Sequence, residues 1–386
     1  MRDLPSGQAV PRRWLAFAIL CCANLAAFSM TASQALLPIV MAMDGVPESV
    51  TGAALSASVV PVVLVGLLCG RIIARIGAAL VLACGYGLAL LANLSLDLLP
   101  PAPATLFGMR MLHGMALGLV TPAALILGHH VASRLRGFAS FAIFTSTIPG
   151  AQMIGPPLGD WWLQTVGREG YFGATSSLGG LALLLMCLFI AMEGRVPLPA
   201  RPGGGYLAIL RKPVLRPALL AHVAPALFWG YVLSFLTMML QERGLGIPAF
   251  YQAMTLAVIA TRIGVAGRID TRSPRLILAI CLTGMTAGFV SLALISGVVA
   301  TIGAGLLFGA TFAIVPPLLT DWIARLVDDD ERPRTVALGN SIFNGFTFLT
   351  AALFALALMA GDITAVHLAF TVAAGGMGVV LLAGKR

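Results

Sequence analysis

The sequence predicts an all-α membrane protein of twelve transmembrane helices, arranged as two pseudo-symmetric six-helix bundles. Three observations predict it. Of the 386 residues, 59% are hydrophobic and 10% charged, whereas a soluble protein carries roughly a quarter charged residues. Apolar runs long enough to cross a bilayer, about 20 residues each, recur near 13–41, 50–70, 77–98, 104–129, 138–163, 171–192, 215–240, 248–267, 275–297, 299–325, 335–359 and 363–383. When the chain is threaded back and forth through these runs, all but three of its 24 Lys and Arg fall on one side.

The first run follows Arg12 and Arg13. It is too long for the apolar stretch of a signal peptide and has no evident cleavage site, so it reads as the first span. The basic side then holds both termini and the loops with Arg71, Arg75, Arg134 and Arg211, while Arg168 and Arg243 lie opposite. Positive loops stay in the cytoplasm. The expectation is a multi-pass protein of a bacterial-type inner membrane with both termini cytoplasmic. One missed or invented helix would invert every later loop, so the charge split also supports the even count. The basic residues form no patch with interleaved aromatics, so nucleic acid is not an expected partner. The six cysteines lie in or beside apolar runs without metal-ligand spacing, as core or lipid-facing thiols do.

The longest hydrophilic stretch, 193–213, is rich in Pro and Gly. It is expected to be a cytoplasmic linker between an N-terminal bundle, 1–192, and a C-terminal bundle, 214–386. Internal landmarks agree. Gly70-Arg71 after the second helix is matched by Gly267-Arg268 after the eighth. Gly114 and Pro122 in the fourth are matched by Gly309 and Pro317 in the tenth. Each pair lies roughly 200 residues apart, which marks a duplicated unit.

The loop after helix two reads Gly70-Arg71-Ile72-Ile73-Ala74-Arg75-Ile76-Gly77-Ala78-Ala79. It resembles the G-x-x-x-D-R-x-G-R-R signature of the major facilitator superfamily, and the resemblance covers essentially the whole chain. Gly70, Arg75 and Gly77 match. The family's acid is Ala74 and its later basic pair is Ala78-Ala79. The second copy, with Arg268, Asp270 and Arg272, keeps an acid. The resemblance implies gating ion pairs between the halves at Arg71, Arg75, Arg268, Asp270 and Arg272. Arg110 and Gly114 match the family's R-x-x-x-G element in helix four. In helix five, Gly155, Pro156 and Gly159 resemble the antiporter element G-x-x-x-G-P-x-x-G-G. There Gly150 stands one residue too far upstream and Asp160 replaces the last Gly. The pattern is closest to the drug or metabolite:proton antiporter type. Small residues at Gly150, Gly155 and Gly159 would let helix five pack closely, and Pro156 would bend it.

An arginine in hydrocarbon costs about 2.5–3.5 kcal/mol on insertion scales, so Arg110 is expected to face the bundle interior. His113 shares its face and Thr121 lies near it. The expected solute path also takes Asn24, Thr31 and Gln34 from helix one, His222 and Trp229 from helix seven, and Asn340 and Asn344 from helix eleven. Helices three, six, nine and twelve read as almost wholly apolar supports. None of the fifteen acids falls mid-span, so Arg110 and Asp160 are expected to form an ion pair that opens during transport.

Together these features predict a secondary transporter of a small organic solute working by alternating access, with proton-coupled efflux of a drug-like or amphipathic compound preferred. Uptake or export of a sugar or metabolite by symport or uniport in the same fold is the alternative. A membrane receptor or assembly factor would need a loop large enough to fold, and none is present. An enzyme would need clustered acids and histidines at mid-depth. ATP drive would need a Gly-rich phosphate loop, and the sequence has none. No cofactor is expected, with the proton gradient as energy source. The expected partners are the lipid bilayer and a small-molecule substrate, and the chain is expected to act as a monomer.

Overall fold

The computed structural model describes residues 6–100, 102–135, 138–196, 206–264, 273–328, 331–359 and 361–383. Every described regular element is a helix, because backbone amides in hydrocarbon find partners only within a helix or a closed barrel.

The twelve spans are as follows. α1 runs Ser6–Ser33, tightens through the 3-10 turn Gln34–Leu36 and ends as Leu37–Met43. α2 comprises Glu48–Ser56 and Val59–Ile76, α3 is Ala78–Leu98 and α4 is Pro103–Ser133. α5 begins as Phe138–Thr145. A continuous run, Thr147–Glu193, then completes α5 and, after a break at Gly167 with φ 71°, forms α6. After the short helix Tyr206–Leu210, α7 is the most interrupted: Pro213–Leu215, Arg216–Leu220, Val223–Ser234 and Leu236–Glu242. α8 is Ile247–Gly264, α9 Pro274–Leu294, α10 Val298–Ala324, α11 Arg332–Leu358 and α12 Ile363–Ala383. Part of the expected linker is thus helical at Tyr206–Leu210, where an apolar YLAIL run outweighs the surrounding Pro and Gly.

The packing repeats between halves. α4 lies on α2 and α3, and α10 lies on α8 and α9. α3 packs on α6, and α9 on α12. The paired glycines explain one of these contacts. A Cβ on Gly114 would stand 2.6 Å from the Ser58 carbonyl oxygen of α2, and one on Gly309 would stand 2.1 Å from the Met254 carbonyl oxygen of α8. Only glycine lets the backbones approach so closely.

Call the face with the clustered Arg and Lys the basic face and the other the opposite face. Most of the N-terminal half has a core of its own, built around Leu20, Leu82, Leu127 and Phe189. The C-terminal core runs through Phe228, Phe250, Phe289 and Phe308. It continues, toward the opposite face, into Leu36, Met41, Leu55, Leu96 and Met109 of the N-terminal half. The halves therefore share one apolar core only at the opposite-face end.

Polar contacts seal that end. The Thr237 hydroxyl of α7 donates to the Ala35 carbonyl of α1. The Ser56 hydroxyl of α2 donates to the Phe348 carbonyl at 2.8 Å and accepts from the Ala352 amide at 2.7 Å. Those two groups of α11 are i, i+4 partners in a helix that runs unbroken here, so the Ser56 hydroxyl sits against one rung of its ladder. Nearer mid-membrane, Thr255 of α8 donates to the Pro149 carbonyl of α5 at 3.0 Å.

Candidate solute site between the two halves

The N-terminal half carries a buried chain of polar side chains, and its geometry starts at Asn93. The Asn93 amide donates to the Thr175 and Ser176 hydroxyls of α6, at 2.9 and 2.8 Å, and to the Phe172 carbonyl at 3.1 Å. Its carbonyl accepts from the Gln34 amide at 3.3 Å. Gln34 is thereby turned to present its own carbonyl, which accepts from Arg110 Nη1 at 2.7 Å. Four helices, α6, α3, α1 and α4, are joined in order.

Arg110 is 4% exposed, and its Nε is buried without a partner. Its guanidinium lies 6.0 Å from the ring centroid of Phe348, on α11 of the other half. The Ser58 hydroxyl of α2 donates to the Arg110 carbonyl at 2.7 Å. His113, one turn along α4, is 1% exposed and its Nδ1 also lacks a partner. A crevice of about 290 Å³ lies between α2 and α11, lined by Val59, Val63, Ser341, Gly345, Phe346 and Leu349 among others.

The C-terminal half is aromatic instead. Trp229 of α7 stacks on Phe312 of α10 with centroids 4.6 Å apart, and Phe312 stacks on Phe308. Tyr231 sits among Phe289, Phe354 and Phe370. His367 of α12 joins it, with Nδ1 2.8 Å from the tyrosine oxygen and Nε2 2.8 Å from the Phe289 carbonyl. At the crossing between halves, the ring that Arg110 meets is Phe348.

The sequence profile described as Major Facilitator Superfamily matches residues 19–351. The chain belongs to that superfamily. Solved structures share its fold. A POT family transporter crystallised with a thioalcohol-conjugated peptide is 14% identical, with TM-score 0.76 and 95% of each chain covered. The nucleoside transporter NupG is 12% identical, with TM-score 0.74, covering 95% of this chain and 98% of its own. No curated protein sequence matches. Family and fold make this major facilitator protein a multi-pass membrane transporter rather than an enzyme, as the sequence predicts.

Within the superfamily frame, the expected site residues separate. Gln34 and Arg110 meet, and His113 is beside them. Arg110 does not pair with Asp160. Its partner is Gln34, while Asp160 accepts from Gln164 one turn along its own helix at 3.0 Å. The comparable depth of the two residues placed them in one layer but not within reach.

Asn24 is held inside the N-terminal bundle, donating to the Thr147 hydroxyl at 2.6 Å and accepting from Tyr86 at 3.0 Å. Thr31 donates back to the Ala27 carbonyl at 3.1 Å. His222 is buried, with Nδ1 2.8 Å from the Ala218 carbonyl. Thr121, Asn340 and Asn344 are half-buried.

Arg71 and Arg75 are exposed and make no ion pair with a described residue. Arg268, Asp270 and Arg272 lie outside the described residues. The signature loop's Gly77 has a role of its own. Its φ is 89°, and a Cβ there would stand 2.1 Å from the Arg195 carbonyl oxygen. That closeness lets the Ala78 and Ala79 amides, at the start of α3, donate to the Val196 and Arg195 carbonyls at 3.1 and 3.3 Å. In α5, Gly155 lies against Ser29 and Ala32 of α1, and Gly159 against Ser33, whereas Gly150 only touches Leu25 at 3.4 Å. Pro156 is buried in the same helix.

The reading of α3, α6 and α12 as almost wholly apolar is corrected by Asn93, Thr175, Ser176 and His367, all buried. Averaged hydropathy hides a few polar residues in an apolar run. His367 carried the better signal, since Thr371 follows one turn later on the same face and is also buried.

Proposed function

We propose that the protein carries a small organic solute across the membrane by alternating access, as a monomer with both termini in the cytoplasm. The solute site is the interface between Arg110, Gln34 and His113 on one side and Trp229, Phe312 and Phe348 on the other. One observation carries the reading: the halves share a core at the opposite-face end and have separate cores elsewhere. A rocking motion that breaks the Ser56 and Thr237 contacts would expose the interface to the other side. The positive loops put the side where the cores are separate in the cytoplasm.

Export in exchange for protons is the direction we favour, supported by the close packing of Gly155 and Gly159 in the antiporter-like segment. Transport without proton coupling is the second reading. It is favoured by the positions of the described acids, which cluster at helix ends. A flux screen in inverted vesicles separates the two. Flux that rises with an imposed pH gradient supports exchange, flux indifferent to the gradient supports the second reading, and no flux of any solute overturns transport itself.

A further inference from the structure

We infer that the transported solute is an organic monoanion, a carboxylate on an apolar body, whose charged group docks on Arg110. The inference rests on the transport reading above and adds a substrate class to it.

The first ground is charge. Among the described residues the ion pairs are Arg134–Glu193, Arg168–Asp44, Lys212–Glu331 and Arg325–Asp321, all near helix ends. Arg110 is in none of them, although it is nearly fully buried. Its one side-chain hydrogen bond goes to a neutral amide, and its Nε has no partner. A buried cation in a membrane protein ordinarily pairs with an acid or faces a pathway. Here no described acid supplies the counter-charge, which leaves the place for a ligand.

The second ground is preorganisation. Gln34 cannot turn its amide toward another acceptor without breaking its bond to Asn93, and Asn93 is held by Phe172, Thr175 and Ser176. This chain fixes the guanidinium in place and leaves Nε free. A fixed fork with unused N–H groups suits a carboxylate, which accepts two parallel hydrogen bonds. His113, one turn away on the same face, offers a second unpartnered nitrogen, Nδ1, to the same group.

The third ground is what surrounds the charge. Phe348 flanks the guanidinium. Its chain neighbour Leu349 and Val59, the neighbour of Ser58, both line the apolar crevice between α2 and α11. The only polar side chain in the named lining is Ser341. A ligand with its carboxylate on Arg110 would lay its body along rings and aliphatic side chains. A cationic solute would meet like charge, and a polyanion would exceed one arginine.

The test uses the purified full-length protein. Benzoate and octanoate are the probes, with benzamide and octylamine as neutral and cationic counterparts, and binding is read by thermal shift and flux in proteoliposomes. The inference expects both carboxylates to stabilise the protein and to be carried, with the amide and the amine weaker by at least about tenfold. Arg110→Gln should lose that preference. Because Arg110→Gln can also disturb folding, Gln34→Glu is the second variant. It supplies an internal counter-charge, so it should fold at least as well as wild type and lose carboxylate binding by about tenfold or more. Carboxylate binding unchanged in Gln34→Glu overturns the inference. So does flux of a neutral or cationic solute that Arg110→Gln leaves intact, and in that case transport stands. Carboxylate binding that needs Arg110 but yields no flux keeps the anion site and overturns the transport reading instead.

Discussion

Gly52 of α2 lies against Ala355 of α11 so closely that a Cβ on Gly52 would stand 2.0 Å from the Ala355 Cβ and 2.7 Å from the Ala351 carbonyl oxygen. The second of these contacts is backbone, which cannot rotate away. Gly52→Leu should therefore wedge the two halves apart at the opposite face. Overpacking of this kind costs about 1–3 kcal/mol, charged here against the sealed conformation. Thr237, fully buried in the sealed state, reports on it. In a cysteine-free background, Thr237→Cys should react with a membrane-impermeant maleimide several-fold faster when Gly52→Leu is added. An unchanged rate would place the seal elsewhere.

Asn93 joins α3 to α1 and α6 through its one amide. Asn93→Leu keeps the branch at Cγ and removes every bond, leaving the Gln34 amide and the Ser176 hydroxyl without this partner, while the Thr175 hydroxyl keeps its bond to the Phe172 carbonyl. Each orphaned buried group costs about 1–3 kcal/mol. The expected outcome is a clear fall in detergent melting temperature. Thr175→Val and Ser176→Ala should each cost less, since Asn93 retains its other acceptors. If Asn93→Leu melts with the wild type, the polar chain contributes no stability.

The pair formed by Tyr231 and His367 has a definite hydrogen-bond sense. His367 Nε2 faces the Phe289 carbonyl, which can only accept, so Nε2 carries the proton and Nδ1 accepts from the tyrosine hydroxyl. Tyr231→Phe should strand Nδ1 and cost about 1–3 kcal/mol. The double change with His367→Phe should cost less than the sum of the two single changes, by about 0.5–3 kcal/mol of coupling. Additive melting losses would deny the bond. Solute flux at saturating concentration should hardly change, because both residues lie within the C-terminal core.

The sequence shows the architecture well because the membrane writes it in two coarse signals, apolar length and the side taken by Lys and Arg. Glycine at Gly114 and Gly309 marks equivalent contacts in both halves, since only backbone against backbone demands it. The site is legible in part. Arg110 stands out because an arginine at that depth is costly. Its partner does not, since hydrogen-bond reach between helices depends on rotation about each axis, which hydropathy does not record. Depth alone suggested Asp160, whereas the rotation of α1 brings Gln34 instead. Asn93 and Ser56 were hidden for another reason. Each lies in a run whose averaged hydropathy is apolar, and its importance comes from what faces it on the neighbouring helices.

Glu242 closes α7 at the opposite face, and its environment gives the protein a weak pH dependence. Partial burial, and then the carboxylates of Glu48 and Asp362, push the Glu242 carboxyl up from its ordinary value. Unfolding returns it to that value. Between the two, the folded protein holds more proton than the unfolded one, so the favourable contribution is complete below the unfolded value and is lost as pH rises through the folded one. Glu48 starts α2, in the N-terminal half, so part of the repulsion acts between the halves, and protonation there favours the sealed opposite face. Glu242 is largely exposed, so the effect is modest and screened by salt. Glu242→Gln should match the wild type at low pH, where both are neutral, and melt higher at neutral pH. Glu48→Gln should reproduce part of that gain. Melting curves taken across the mildly acidic range at low salt check this. If the Glu242→Gln and wild-type curves run parallel throughout, the carboxylates do not repel one another across the seal.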